Sequence, residues 1–363
     1  MRKYSRFRIS LLFRENFFML NLVFGKFVEN WNAWYEGKSY DQVVVLSDET
    51  VSEHWFSHLV QSCSGWNEAE LLVVPDGEES KSFDVLYQLI GALTEYQVSR
   101  NALLINLGGG VVSDLGGFLA SIYKRGIDFV NIPTSLLAQV DASVGGKTGV
   151  NFESFKNHIG VFADPQAVFL DESFLTTLSE QEMKSGWGEV VKHGIIEGGA
   201  LWDEVSLSPS FKTDAAFMQR VVKVKEGVVE QDPKEKGLRK VLNLGHTLGH
   251  AIEGLLLKSG KEVFHGECVL FGLYGEACLF EDNGVELNFL QSLERIVGQW
   301  TQPHKLKGLS ADDLLELMQN DKKNQAREIR FAIAYAPGKF ELDVRMDREE
   351  LKTKLESWLE KMC

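Results

Sequence analysis

The chain has 363 residues, 44% hydrophobic and 25% charged, enough to bury a large core and to form two domains more readily than one. A formal net charge of −14 and a pI near 5.1 exclude a general nucleic-acid or polyanion surface, which needs a basic face. Four scattered cysteines (Cys63, Cys268, Cys278, Cys363) exclude a disulfide framework and a zinc ribbon, so any metal must be held by His and carboxylate.

The first residues are basic: Arg2, Lys3, Arg6, Arg8 and Arg14 precede any acid. Arg14, Glu15 and Asn16 cut the apolar run that follows, and no small-residue cleavage site appears. A signal peptide or membrane anchor is therefore not expected, an over-extended start is the simpler reading, and the cysteine usage points to the cytoplasm. Short apolar runs then alternate with helical patterns. Runs at 43–46, 71–74 and 103–105, with weaker ones at 129–132 and 167–170, read as strands buried on both faces. Turn residues close each of the first four: Ser47-Asp48, Pro75-Asp76-Gly77, Gly108-Gly109-Gly110 and Pro133-Thr134. This rhythm predicts a mostly parallel sheet with helices on both faces. Beyond 171 helical spacing dominates, over 179–196, 215–230, 242–257, 267–281 and 311–318. Two domains are expected, 1–171 α/β and 172–363 mainly helical.

The glycine turn at 108–110 follows a buried strand and opens a helix. Backbone N–H groups can approach a pyrophosphate closely there, and close helix–strand packing explains the same glycines equally well. Asp48, ending the first strand, fits a ribose hydroxyl acceptor or a helix N-cap.

Three later segments carry metal-ligand chemistry. Glu189 lies on a helical stretch with Lys192 and His193. Asn243, His246 and His250 are spaced three and four apart, which puts them on one face of a helix. His265 precedes a further helix. Two His at i and i+4 often chelate one metal, and a hydrogen-bonded core pair is the alternative. Cys268 reads as a buried free thiol.

Taken together, these segments resemble the 3-dehydroquinate synthase family, and more broadly the sugar phosphate cyclases. The resemblance runs from about 76 to 338. It is carried by GGGVVSDLGGF at 108–118, YKRG at 123–126, IPTSLLAQVDASVGGKTGVN at 132–151, KNHIG at 156–160, GEVVKHG at 188–194, GLRKVLNLGHTLGHAIE at 237–253 and HGE at 265–267. It implies an N-terminal Rossmann-like parallel-sheet domain followed by a mainly helical metal-binding domain. The metal ligands it implies are Glu189, His246 and His265, with His250 moved from ligand to catalytic or substrate-contacting residue. Asp141, Lys147, Lys192, Lys225, Arg239 and Asn243 match the family's substrate-contacting positions, as do Arg125, Lys156 and Asn157, some of them reaching a partner subunit's site. Lys322 and Lys323 also look family-like. For NAD the resemblance points to Asp48, Glu78, Lys81, Gly109, Gly110, Asp114, Thr134, Ser135 and Thr177, with Lys147 and Lys156 alongside.

The implied activity is conversion of 3-deoxy-D-arabino-heptulosonate 7-phosphate to 3-dehydroquinate and phosphate. It uses catalytic NAD and Zn2+ or Co2+, and serves the shikimate pathway of aromatic amino acid biosynthesis. A homodimer, a small phosphorylated sugar-acid substrate, and no nucleic-acid or membrane partner complete the expectation. Some positions depart from the family text: Ser113 and Gly116 beside Asp114, Phe155 before Lys156, Ser179, Trp187-Gly188 before Glu189, and His193. The competing readings are another sugar phosphate cyclase such as 2-epi-5-epi-valiolone synthase, a metal-dependent NAD polyol dehydrogenase, and a non-catalytic relative used for binding.

Overall fold

The computed structural model describes residues 21–153, 155–320 and 328–362. The basic N-terminal residues, Lys322 and Lys323 lie outside the described residues. The described residues form two compact units, one of 21–179 with Thr213–Glu226, the other of Glu180–Lys212 with 227–362.

In the first unit, β1 (Leu22–Phe24), β2 (Val43–Asp48), β3 (Glu70–Val74), β4 (Leu103–Gly108), β5 (Asp128–Pro133) and β8 (Val168–Leu170) form one sheet in the order β1-β8-β5-β4-β2-β3. Every neighbouring pair is parallel. All five expected strands are present, and β1 adds a short edge. Alternation along each strand feeds two cores: Val44, Leu46 and Leu104 enter one with Leu115 and Leu119, while Val43, Val45 and Leu103 enter the other with Trp31 and Phe169. Burial on both faces is why the strands read as continuous apolar runs rather than alternating ones.

Chain direction across the sheet reverses between β2 and β4. In open parallel sheets such a switch point opens a crevice beyond the strand C-termini, where ligands bind. The turns at 48 and 108–110 both stand at that edge. Missed by pattern reading was the antiparallel hairpin of β6 (Lys147–Phe152) and β7 (Phe155–Phe162), with Lys147 as its first strand residue.

Long helices dominate the second unit: Glu180–Glu197, His246–Lys258, His265–Leu279, Leu287–Trp300, Ala311–Asn320 and Arg348–Met362. Leu287–Trp300 was not anticipated, although Phe289, Leu290, Leu293, Ile296, Val297 and Trp300 all lie on its buried side. Nor was the hairpin β9 (Arg330–Ala336) and β10 (Lys339–Arg345). Among the described residues no helix is long and apolar enough to cross a membrane.

One local expectation is corrected. Asn243 does not share a helix face with His246 and His250. It ends a separate turn, Leu238–Asn243, and Gly245 at φ +72° breaks the chain direction before the helix begins at His246. A left-handed residue costs glycine little, and here a Cβ would also lie 2.6 Å from Leu273.

Candidate metal and nucleotide sites

Three helices of the second unit bring Glu189, His246 and His265 together. Glu189 is fully buried, and its Oε1 lies 3.4 Å from His246 Nε2 and 3.6 Å from His265 Nε2. Its Oε2 faces the ammonium of Lys192, itself buried one turn along the same helix. Although burial alone would raise the Glu189 carboxyl, Lys192 and the two imidazoles hold it well below the usual carboxylate range. Burial and the Lys192 charge push His246 down to about 3.

Both imidazoles are turned so that Nε2 faces the carboxylate. His246 Nδ1 lies 2.9 Å from the Leu244 carbonyl oxygen, which fixes the proton on Nδ1 and leaves the Nε2 lone pair free. His265 Nδ1 lies 2.9 Å from Glu253 Oε2. Ligands at about 2 Å from a tetrahedral metal stand roughly 3.3 Å apart, close to the two measured separations. Two imidazoles and a carboxylate are also the donor set of catalytic zinc sites that keep a position open. The residues present therefore suit a divalent ion.

His250, exposed, stands one turn after His246, with ring centroids 5.1 Å from His246 and 5.7 Å from His265. Ring nitrogens of all three lie within 4.8 Å of one another, so proximity alone does not separate His250 from the ligands. Glu253 was missed by sequence reasoning. The signal was present: it lies seven residues after His246 on a helix, hence on the same face.

The helices cross at glycines. A Cβ on Gly188 would lie 2.4 Å from the Gly266 carbonyl oxygen, and one on Gly266 would lie 1.7 Å from that of Ser185. A Cβ on Gly272 would meet the Gly245 carbonyl oxygen at 1.8 Å. Each of Glu189, His246 and His265 thus adjoins a glycine at a backbone crossing. Side chains from neighbouring helices also cap two of the helix starts. Ser185 Oγ accepts from Gly266 N–H at 3.2 Å, and the buried Glu276 carboxylate accepts from Gly245 and Leu248 N–H at 3.0 and 2.9 Å. These bonds satisfy donors that a helix N-terminus leaves without an internal partner. Nearby, Asp232 gathers the Lys236, Gly237 and Arg239 N–H groups, and Glu235 accepts from the Asn243 amide at 2.9 Å. Arg239 is buried there, donating to the Pro233 carbonyl at 2.7 Å.

In the sheet unit most of the residues matched to NAD gather along one edge. Asp48 caps its own short helix through Val51 N–H at 2.8 Å, as the N-cap reading expects, and stands beside Gly108. Gly109 precedes the Gly110–Ile122 helix with no side-chain cap, leaving that N-terminus open to an anion. Lys81 pairs with Asp114, and burial raises the Asp114 carboxyl against that pairing. Asn151, unremarked in the sequence, links the hairpin to this edge: its N–H donates to the Lys81 carbonyl and its amide to Glu78, while its Oδ1 accepts from Asn157 N–H. Thr134 is buried with its N–H on the Gly108 carbonyl, and Ser135 Oγ accepts from Ala138 N–H at 3.2 Å. Thr177 Oγ1 accepts from Trp55 at 3.4 Å. Lys225 Nζ binds Asp141 at both a side-chain oxygen, 2.9 Å, and the carbonyl, 2.6 Å. Lys147 and Lys156 are exposed on the hairpin. Arg125 stands apart: it precedes β5 in the turn Tyr123–Arg125, at the sheet edge opposite the strand C-termini.

A parallel-sheet unit combined with a mainly helical unit is a fold shared with solved structures of sugar phosphate cyclases and, at lower similarity, of alcohol dehydrogenases. Among solved structures the chain is similar to a 2-epi-5-epi-valiolone synthase from Streptomyces hygroscopicus, with NAD+ and Zn2+ bound. It is 21% identical with TM-score 0.80, covering 98% of this chain and all of that one. A 2-deoxy-scyllo-inosose synthase complexed with carbaglucose-6-phosphate, NAD+ and Co2+ follows at 20% identity and TM-score 0.78, covering 93% and 96%. An iron-containing alcohol dehydrogenase from Thermococcus thioreducens is more distant, with TM-score 0.63 at 14% identity and coverage of 94% and 98%.

Family matches are more specific. The 3-dehydroquinate synthase N-terminal family matches residues 71–185 and the C-terminal family residues 186–324. The 3-dehydroquinate synthase of Parabacteroides distasonis is 38% identical over 321 residues, 87% of this chain and 90% of that protein. That of Alkaliphilus metalliredigens is 37% identical over 328 residues, 88% and 90%. The chain belongs to the 3-dehydroquinate synthase family, enzymes of the carbon–oxygen lyase class.

Proposed function

We propose that this chain converts 3-deoxy-D-arabino-heptulosonate 7-phosphate to 3-dehydroquinate and phosphate, with Glu189, His246 and His265 holding Zn2+ or Co2+. The observation that carries the reading is the buried Glu189 carboxylate facing two imidazole Nε2 atoms whose Nδ1 atoms are both engaged elsewhere. NAD belongs to the sheet unit, on Asp48, Glu78, Lys81, Gly109, Gly110, Asp114, Thr134, Ser135, Lys147, Lys156 and Thr177. When bound, the metal supplies Lewis acidity toward a substrate hydroxyl, and NAD supplies a hydride acceptor regenerated within the turnover.

The chain's own groups do the rest. Lys192 balances the Glu189 charge at the ligand cluster. Lys147, Lys156, Lys225 and Arg239 supply cations for the substrate's phosphate and carboxylate, the guanidinium suited to bidentate contact. Asp141, Asn157 and Asn243 offer hydrogen bonds to hydroxyls. His250, exposed one turn from His246, is placed to hold or move a proton. Arg125, at the far sheet edge, serves the site of a partner subunit in a homodimer.

Purified protein with NAD and a divalent metal is expected to release phosphate from the heptulosonate phosphate with no net NADH, because the hydride returns. Phosphate release from sedoheptulose 7-phosphate instead would reassign the substrate. Net NADH from a polyol would reassign the reaction.

A further inference from the structure

Resting on that metal assignment, we infer that Glu253 is a positioning residue that makes His265 a metal donor. His246 and His265 are oriented by different means. His246 gives its Nδ1 proton to a neutral backbone carbonyl within its own segment. His265 gives its own to a carboxylate on another helix, since Glu253 projects from the His246–Lys258 helix and meets His265 Nδ1 at 2.9 Å. Glu253 is itself buried.

Three consequences follow from that contact. It keeps a proton on Nδ1, so that Nε2, 3.6 Å from Glu189 Oε1, is the ring nitrogen a metal would take. It holds the ring plane of a side chain that is more exposed than Glu189 or His246, at 28% against 0% and 10%. An anionic acceptor also makes the imidazole a stronger donor than a carbonyl does, and such outer partners affect metal affinity by roughly 10–100-fold.

The test separates orientation from charge with three variants of the full-length protein. Glu253→Gln keeps an acceptor without the charge, Glu253→Ala removes both, and Glu253→Asp restores the charge on a shorter arm. Metal-stripped protein is titrated with Co2+ and with Zn2+ against a chromophoric chelator, and the visible ligand-field spectrum of the Co2+ form is recorded. Expected are a loss of about tenfold or more in affinity for Glu253→Gln, a larger loss and an altered Co2+ spectrum for Glu253→Ala, and partial recovery for Glu253→Asp. Melting of the metal-free Glu253→Gln protein should stay near wild type. Unchanged affinity and spectrum in Glu253→Gln and Glu253→Ala would overturn the inference, as would a loss no larger than the fall in folded protein. Glu189→Ala and His265→Ala are the controls for the reading beneath it. If wild type binds no stoichiometric metal, or these two bind it equally well, the ligand assignment itself fails.

Discussion

Burial, opposed by the Val51 N–H, pushes the Asp48 carboxyl up to about 6. A carboxyl raised in the fold is favoured there as the neutral acid. Its contribution to stability is full below the ordinary carboxylate range and is lost as pH rises through about 6. Asp48→Asn, which keeps an N-capping side chain, should therefore melt above wild type on the alkaline side of that value and level with it in acid. NAD affinity of the same variant should fall. A second single-residue effect sits at Gly116, where a Cβ would lie 1.8 Å from Asn106 Oδ1. Asn106 is buried and bonded to Asn131 across β4 and β5 at 2.9 Å. Gly116→Ala should cost about 1–3 kcal/mol in chemical denaturation, and a smaller residue at 106 should recover much of it. The cluster of Glu189, His246 and His265 was legible because each sits in a distinctive motif. The support around them was not. Glu253, Asn151 and Glu276 are ordinary acids and amides until the fold shows which N–H or ring nitrogen each one meets.

Among the elements, the helices of the ligand cluster owe their separation to glycine. Backbone meets backbone at the Gly188–Gly266 and Gly245–Gly272 crossings, with no side chain able to intervene. Gly266→Ala has only the Ser185 main chain to push against, so it should destabilise by at least about 1–3 kcal/mol and weaken metal binding in whatever protein folds. Metal titration beside a denaturation curve checks both. Strands were readable because burial on both faces writes an uninterrupted apolar run. The β6–β7 hairpin escaped because much of it is exposed: Phe152, Phe155 and Phe162 are 43%, 45% and 55% accessible, and its glycines disrupt alternation. Asn243 was misplaced since spacing counts residues and cannot see a left-handed glycine two positions on.

At the scale of the whole molecule, the proposed ligands come from separate segments, near 189, 246 and 265, within one compact unit. An ion bound to all three would oppose unfolding of that unit, by mass action on the native state. Removing divalent metal with a chelator should lower the melting temperature, adding Zn2+ or Co2+ back should restore it, and Glu189→Ala should abolish the difference. The family was readable from the chain because many long motifs keep their order. Net charge and composition narrowed the class without naming a substrate.

The bonds from Ser185 and Glu276 to the helix starts have a further consequence. Gly266, Gly245 and Leu248 give their amide hydrogens to side chains of other helices, beside the two histidines. Those hydrogens can exchange with deuterated solvent only when the helix starts part from their neighbours, and that same parting pulls the cluster open. Deuterium uptake at these three amides is thus a local clock for opening of the proposed metal site, and it should slow sharply on metal loading while β3, in the sheet unit, changes far less.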